Sequence, residues 1–288
     1  MLPGLQKLRH TPLPETTRMA FLAATQPPRY FPNLQVLTIN TLQLGSPDMI
    51  WLAISSLMDV TIERCYSTNV FPTRAPLPLG LQSNLTKLSL TRVMAQTAAD
   101  LLSCTPEVKH LAITTYDHPS HQLLHQLRKL PKLVTFGLHG PAANYLGQIS
   151  LAALPRLLNL LIDADLLLSR HAHAQLAAVV PRTLKQLTLV ESTLGTDGWK
   201  GIQFDRMLEG ISALPKCMIA GDLSALEKVV LRCRPVGEIE LSAKAYLNNS
   251  KILPDCRAAR LTLVLQYRAA TSLLCWMKTM RRRFECWL

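Results

Sequence analysis

Residues 85–90 read Leu-Thr-Lys-Leu-Ser-Leu, in which three leucines follow the spacing LxxLxL. The same spacing of apolar residues returns along the chain, and successive copies between residues 34 and 184 begin 23 to 28 residues apart. A period of this length is typical of proteins in which each turn of a coil adds one short strand. The eight copies are Leu34-Leu37-Ile39, Leu57-Val60-Ile62, Leu85-Leu88-Leu90, Val108-Leu111-Ile113, Leu133-Phe136-Leu138, Leu157-Leu160-Ile162, Leu184-Leu187-Leu189 and Leu226-Val229-Leu231.

The alternating end of the motif, LxL, predicts a β-strand that directs both apolar side chains to the same face. One turn cannot bury its apolar side chains alone, so neighbouring turns are expected to stack their strands in parallel around a shared core. Between the strands, apolar residues at helical spacing predict short helices at residues 97–103, 120–130, 172–180 and 204–214. Prolines before several copies fit this pattern, because proline ends a helix and favours an extended chain.

These copies resemble the leucine-rich repeat superfamily over about residues 34–231, and the irregular helical repeats are similar to the substrate-recognition halves of fungal F-box proteins. The resemblance implies an α/β solenoid with a curved parallel sheet on its concave side and short helices on its convex side. It also implies substrate recognition for a ubiquitin-ligase adaptor. The asparagine that usually follows each strand is absent, so we expect irregular turns at its slots, which hold Leu42, Cys65, Val93, Tyr116, Pro141, Asp165, Ser192 and Arg234.

Three regions follow from the extent of the repeat. Residues 1–33 are predicted to hold an incomplete repeat, with a weak copy at Leu5 and Leu8, and a connecting segment. Residues 34–235 form the array, and residues 236–288 form a C-terminal capping region with a basic amphipathic helix. Because the first turn lacks a polar cap, we expect the chain to be part of a longer product. Residues 11–29 folding over this end, or a second copy covering it, are the alternatives.

Composition excludes several classes of protein. The chain has 288 residues, of which 48% are hydrophobic and 17% charged, so a packed core is expected rather than disorder. Charged residues and Pro155 interrupt the leucine-rich stretch 151–168, so no transmembrane segment is predicted. Seven cysteines without a CxxC pair predict reduced thiols in an intracellular protein of the cytoplasm or nucleus.

Motifs that carry chemistry are missing from the sequence. Phosphate-binding loops, zinc-protease motifs, nucleophile elbows and calcium loops do not occur, so the chain is predicted to be no enzyme and to need no cofactor. His121 and His125 lie four residues apart on a predicted helix, but the sequence spacing places no third metal ligand beside them. The same reasoning applies to His171 and His173. No metal site is therefore predicted. Cys65 is interpreted as a small buried group rather than a nucleophile.

The variable strand residues must face away from the leucines, on the concave side of the predicted sheet. They are small, polar and varied, and their charge changes from acidic at Asp59 and Glu63 to basic at Lys228 and Arg232. This pattern favours a protein partner over a uniform nucleic-acid groove. The predicted partner-binding residues are Asn40, Asp59, Thr61, Glu63, Lys87, Ser89, His110, Thr135, His139, Asn159, Asp163, Gln186, Lys228 and Arg232.

The leading hypothesis is therefore a non-enzymatic protein-protein interaction module that binds its partner on the concave face. The alternative is binding to nucleic acid or to an acidic membrane surface through the basic tail, formed by Lys278, Arg281, Arg282 and Arg283. Residues 251–288 hold 8 Lys and Arg against 2 Asp and Glu, so they carry half of the formal charge of +12. A truncated product without an independent role is a third interpretation.

Overall fold

A computed structural model describes residues 5–10, 30–44, 51–67, 84–141, 150–168, 176–191, 204–233 and 251–267. Within these ranges the protein is α/β, with twelve strands in one sheet and short helices between them. Every strand pairing is parallel. The strands are β1 Lys7–His10, β2 Val36–Ile39, β3 Leu42–Leu44, β4 Asp59–Ile62, β5 Cys65–Ser67, β6 Lys87–Val93, β7 His110–Thr115, β8 Thr135–His139, β9 Asn159–Asp163, β10 Gln186–Val190, β11 Lys228–Cys233 and β12 Thr262–Tyr267.

Ten strands follow one path across the sheet, in the order β1-β2-β4-β6-β7-β8-β9-β10-β11-β12. The second leucine of each predicted motif copy occupies the same rung of this path, as where Leu88 pairs with Val60 on one side and Leu111 on the other. A slip of one residue would turn every apolar side chain to the opposite face, so burial sets the register. The predicted α/β fold with a parallel sheet is confirmed.

One buried row of side chains runs through this path. From β2 to β11, the residues of this rung are at most 2% exposed: Leu37, Val60, Leu88, Leu111, Phe136, Leu160, Leu187 and Val229. At the two ends of the path, Leu8 and Leu263 are only partly buried against the same core. Stacking of neighbouring turns therefore supplies the core that no single turn could form.

The same tight turn precedes seven of these strands. The amide of the first motif residue donates to the carbonyl three residues earlier, as from Leu133 to Leu130, at distances of 3.0–3.4 Å. Pro32, Pro106, Pro131 and Pro155 occupy the second position of this turn, where their fixed φ is favourable. At eight successive junctions, the carbonyl oxygen of the residue before a strand accepts hydrogen bonds from two backbone amides of the next turn.

Seven short helices lie between the strands in the part of the chain that the structure describes. They are α1 Ala95–Ser103, α2 His121–Arg128, α3 Ala164–Leu167, α4 Leu176–Val179, α5 Phe204–Ile211, α6 Leu214–Ile219 and α7 Ile252–Ala258. The helices predicted at residues 97–103 and 120–130 correspond to α1 and α2. The prediction at 204–214 covers α5 and the start of a second helix, α6, while the segment 172–175 of another prediction lies outside the described residues.

The turns after the first strands differ from the prediction of irregular structure. Leu42, Cys65 and Val93 occupy asparagine slots, yet they pair in a second short parallel ladder formed by β3, β5 and the end of β6. All three side chains are buried, so apolar packing replaces the hydrogen bonds of an asparagine ladder. β6 has a bulge at Arg92, which has a φ of 56°. Before the bulge β6 belongs to the main ladder, and after it Val93 pairs with Cys65 in the second ladder.

The sheet continues past both limits of the predicted array. β1 contains the weak copy at Leu8, and β12 pairs in register with β11, beyond residue 235. None of the helices in the described ranges is long and apolar enough to cross a membrane. The predicted tail helix, its basic residues and the pair His171 and His173 lie outside the described residues.

Leu111→Ala should lower the free energy of unfolding by about 2 to 5 kcal/mol, because it leaves a cavity in the buried row. Thr61→Ala, on the opposite face, should change it by less than about 0.5 kcal/mol. Urea unfolding followed by circular dichroism measures both values. Equal losses for the two variants would show that the sheet does not separate a core face from an outer face as described.

Candidate functional site

The side chains that alternate with the buried leucines form three rows on the outer face of the sheet. The first row contains Lys7, Val36, Asp59, Lys87, His110, Thr135, Asn159, Gln186, Lys228 and Thr262. The middle row, two residues later in each strand, contains Arg9, Thr38, Thr61, Ser89, Ala112, Gly137, Leu161, Thr188, Val230 and Val264. The last row, at the carboxyl ends, contains Asn40, Glu63, Thr91, Thr114, His139, Asp163, Val190, Arg232 and Gln266.

Besides Lys7, which Val36 separates from Asp59 in the first row, eight accessible polar residues lie together at the β1 side of this face. Seven of them belong to the predicted partner-binding set and are half-buried, while Arg9 is exposed and was not predicted. They come from β1, β2, β4, β6 and β7 or from the residue that follows the strand, and these five strands are neighbours in the sheet. We refer to the group as the polar patch, which consists of Arg9, Asn40, Asp59, Thr61, Glu63, Lys87, Ser89 and His110.

Four predicted partner-binding residues are instead buried. Thr135, His139, Asp163 and Arg232 have relative exposures of 5%, 1%, 0% and 6%. His139 and Asp163 bond to each other, and Arg232 Nε donates to Gln266 Oε1 at 3.2 Å. These four side chains cannot reach a partner, and the prediction that they bind one is corrected. Asn159, Gln186 and Lys228 remain half-buried in the first row.

The middle row of the outer face is buried where it crosses β9, β10 and β11. Alternation directs Leu161, Thr188 and Val230 away from the core, yet all three are buried. Val190, in the last row, is buried as well. The accessible part of the middle and last rows therefore concentrates in the polar patch, where the middle row carries the small side chains of Thr61 and Ser89.

Both acidic residues of the polar patch are paired with a basic side chain. Asp59 Oδ2 lies 3.3 Å from Lys87 Nζ, and Glu63 Oε1 lies 3.3 Å from Arg9 Nη2. Arg9 Nε also donates to Asn40 Oδ1 at 3.3 Å, so Arg9 of β1 reaches across β2 to Glu63 after β4. The acidic end predicted from Asp59 and Glu63 is thus neutralised, which corrects the expected change of sign along the face.

His110 is the titratable residue that is most affected by this arrangement. Its pKa is lowered from the ordinary value near 6.5 by partial burial, and further by Lys87 and Lys109, while Asp59 acts in the opposite direction. Both effects disfavour the imidazolium form. The imidazole of His110 is therefore predominantly neutral at pH 7.

A buried hydrogen-bond cluster lies beside the patch, at the carboxyl ends of β8 and β9. His139 Nδ1 contacts Asp163 Oδ1 at 2.7 Å, and Asp163 Oδ2 accepts from the Gly140 amide at 3.0 Å. Gly140 has no room for a side chain, since a Cβ would lie 2.2 Å from Thr115 Oγ1. Sequence reasoning placed His139 and Asp163 on the surface, because alternation gives direction without showing what covers a side chain.

Other polar side chains also link successive turns at this edge. Asp117 Oδ1 accepts from the Ala95 amide at 2.7 Å, at the first residue of α1. His118 Nδ1 donates to the Pro141 carbonyl oxygen at 2.9 Å. Together with Asp163, these residues satisfy loop backbone groups that an asparagine ladder would otherwise satisfy. Their role is structural, and it accounts for several of the polar residues that follow the strands.

Cys65 and Cys233 are buried cysteines of the described residues. Burial raises the pKa of Cys65 to about 12, and burial with a contribution from Glu191 raises the pKa of Cys233 to about 12. These thiols stay protonated at neutral pH, so they are poor nucleophiles. Within the described ranges, no three His, Cys, Asp or Glu residues are placed to hold a metal ion. His121 and His125 are exposed on α2.

No known family model matches the chain, and no curated protein is significantly similar to it. The functional interpretation therefore depends on the geometry of the sheet face. The polar patch contains most of the accessible polar residues of that face in the described part of the chain.

Asp163→Ala should lower the free energy of unfolding by about 2 to 6 kcal/mol, because two buried donors, one of His139 and one of Gly140, lose their acceptor. Glu107→Ala is the matched control. It removes an ion pair with Lys132 that is exposed to solvent, and it should cost at most about 1 kcal/mol.

Urea unfolding of both variants measures the two losses. A loss for Asp163→Ala no larger than that for Glu107→Ala would contradict the structural role of the buried cluster.

Proposed function

We propose that the protein is a leucine-rich repeat interaction module that binds a protein partner through the polar patch and catalyses no reaction. The repeated turn, the common register of the strands and the parallel sheet support a repeat module. The five free cysteines of the described residues fit a reducing, intracellular location. Substrate recognition for a ubiquitin-ligase adaptor is the specific form of this proposal that the similarity to F-box proteins favours.

The observation that carries the proposal is the continuity of the polar patch over five neighbouring strands. At about 4.8 Å for each strand step, the patch extends roughly 19 Å across the sheet. Surfaces of this kind suit extended partners, since successive turns present side chains at regular intervals along the contact. Thr61 and Ser89, at the centre of the patch, have short side chains, so that a partner segment can lie close to the sheet.

The ion pairs of the patch are compatible with exchange of partners. The pair of Arg9 and Glu63 is exposed to solvent, and such pairs contribute about 0 to 1 kcal/mol to stability. Breaking this pair to form a new one with a partner therefore costs little. No aromatic side chain belongs to the patch, so hydrogen bonds and charge pairs must provide most of the specificity.

Ser89→Arg should abolish partner binding, because it places a long charged side chain in the centre of the patch. Ser89 is half-buried on the outer face, so the substitution leaves the apolar core unchanged. The matched control is Ser103→Arg, at the exposed end of α1. Partners captured from a cell extract by the wild type and both variants are identified by mass spectrometry. Binding of a purified partner is then measured by calorimetry.

Partners that bind the wild type and Ser103→Arg but not Ser89→Arg are the expected result, with equal thermal unfolding of all three proteins. The same partners bound with equal affinity by Ser89→Arg and the wild type would contradict a binding site on the patch.

A further inference from the structure

The first row of the polar patch gathers basic groups at the junction of β6 and β7. Lys87 of β6 and His110 of β7 occupy the same rung, and Lys109 directly precedes His110. The carboxylate of the patch in this row is Asp59, from the neighbouring strand β4, with Oδ2 3.3 Å from Lys87 Nζ. Among the described residues, Lys109 is exposed and forms no ion pair with a carboxylate. Positive charge therefore exceeds negative charge at this point of the face.

The groups on the other side of His110 do not change this balance. Thr135 of β8 pairs with His110, and Asn159 of β9 pairs with Thr135, so the first row continues with uncharged side chains. Counted over the described residues alone, and with a neutral His110, Lys87 and Lys109 exceed Asp59 by one positive charge. With a protonated His110 the excess is two, and no described carboxylate in the neighbouring positions of the row compensates it.

Hydrogen-bond donors accompany this charge. Ser89 lies two residues after Lys87 on the same face of β6, and Thr61 of β4 pairs with Ser89. Residues two apart in a strand are separated by about 7 Å, and neighbouring strands by about 4.8 Å. The ammonium group of Lys87, the imidazole of His110 and the hydroxyl of Ser89 are thus grouped around one small area, which is accessible from the outer face.

We propose that this area binds a carboxylate side chain of an acidic partner segment, which takes over Lys87 from Asp59 and is also stabilised by Lys109 and His110. The inference rests on the proposed function and names the partner chemistry for the same face. A partner carboxylate in this area would lie near Lys87, Lys109 and His110, whereas Asp59 is paired with Lys87 and also acts on the pKa of His110. The side chains of Lys87 and Asp59 are 18% and 28% exposed, so exchange replaces one partly buried ion pair by another and leaves Lys87 paired.

The electrostatics of His110 give the binding a pH dependence. Partial burial, followed by Lys87 and Lys109, lowers the pKa of His110 in the free protein, and a bound carboxylate beside the imidazole would favour the imidazolium, so the pKa of His110 is higher in the complex. A group with a higher pKa in the complex takes up a proton on binding. Affinity therefore increases as the pH falls through the pKa of the complex, and it levels off below the pKa of the free protein.

The test uses two fluorescent peptides, acetylated hexa-aspartate and hexa-asparagine, with binding to the full chain measured by fluorescence polarisation. Hexa-aspartate should bind at least roughly fivefold more tightly than hexa-asparagine, and Lys87→Gln should remove most of this difference. Asp59→Asn should tighten hexa-aspartate binding roughly threefold, since it removes the competing carboxylate. Misfolding would act in the same direction in both variants, so opposite effects of Lys87→Gln and Asp59→Asn keep the test decisive. Lys132→Gln, outside the patch, is the control and should change nothing.

The pH arm compares affinities at pH 7.5 and pH 5.5. Hexa-aspartate should bind roughly three- to tenfold more tightly at pH 5.5 to the wild type, and this increase should be absent in His110→Gln. Aspartate side chains stay ionised over this range, so the peptide itself contributes little.

Three results would overturn the inference. Equal binding of both peptides would show that the face does not select a carboxylate, while the proposed function stands if Ser89→Arg still abolishes partner capture. A wild-type pH dependence retained in His110→Gln would remove the role of His110. Fluorescent hexathymidylate serves as a third probe, and its tighter binding than that of hexa-aspartate, lost in Lys87→Gln, would assign the area to nucleic acid instead. Failure of partner capture to depend on Ser89 would contradict the proposed function itself.

Discussion

The stacking of one apolar row along the sheet is the interaction on which the rest of the structure depends. Leu88 lies between Val60 and Leu111, and each of these residues is buried by the turns on either side of it. Since no turn buries its own leucines, the core forms only where neighbouring turns stack on one another. The tight turn before each strand supports this stacking, because it starts every strand at the same position relative to the previous one.

The same constraint creates the outer face. A strand that directs its leucines inward must direct the intervening residues outward, so Lys87 and His110, which are 23 residues apart in sequence, become direct neighbours on one rung. A binding surface can therefore be composed residue by residue along the repeats without any change to the core. The polar patch and its excess of basic groups at β6 and β7 follow from this arrangement.

The strands and their register could be predicted from the sequence, because the LxxLxL spacing is local and its period is regular. The accessibility of the outer face could not. Alternation correctly directed Asp163 and His139 away from the leucines, but it does not show which residues cover them, and both are buried. The ladder through Leu42, Cys65 and Val93 was missed for a related reason, since its pairing depends on how the chain leaves each strand rather than on a repeated spacing. Charge pairing of Asp59 and Glu63 likewise depends on side chains of other turns.

Distances between spin labels in the first row test the stacked parallel rungs most directly. Cysteines introduced at Val36 and at His110, Asn159 or Lys228 would be labelled in a chain that keeps the buried Cys65, Cys233 and Cys256 and replaces the other cysteines by serine. These pairs are separated by three, five and seven strand steps, so the account predicts distances that increase in this order, near 14, 24 and 34 Å at about 4.8 Å per step. A distance from residue 36 to residue 228 shorter than that to residue 110, or broad distributions for all three pairs, would contradict it.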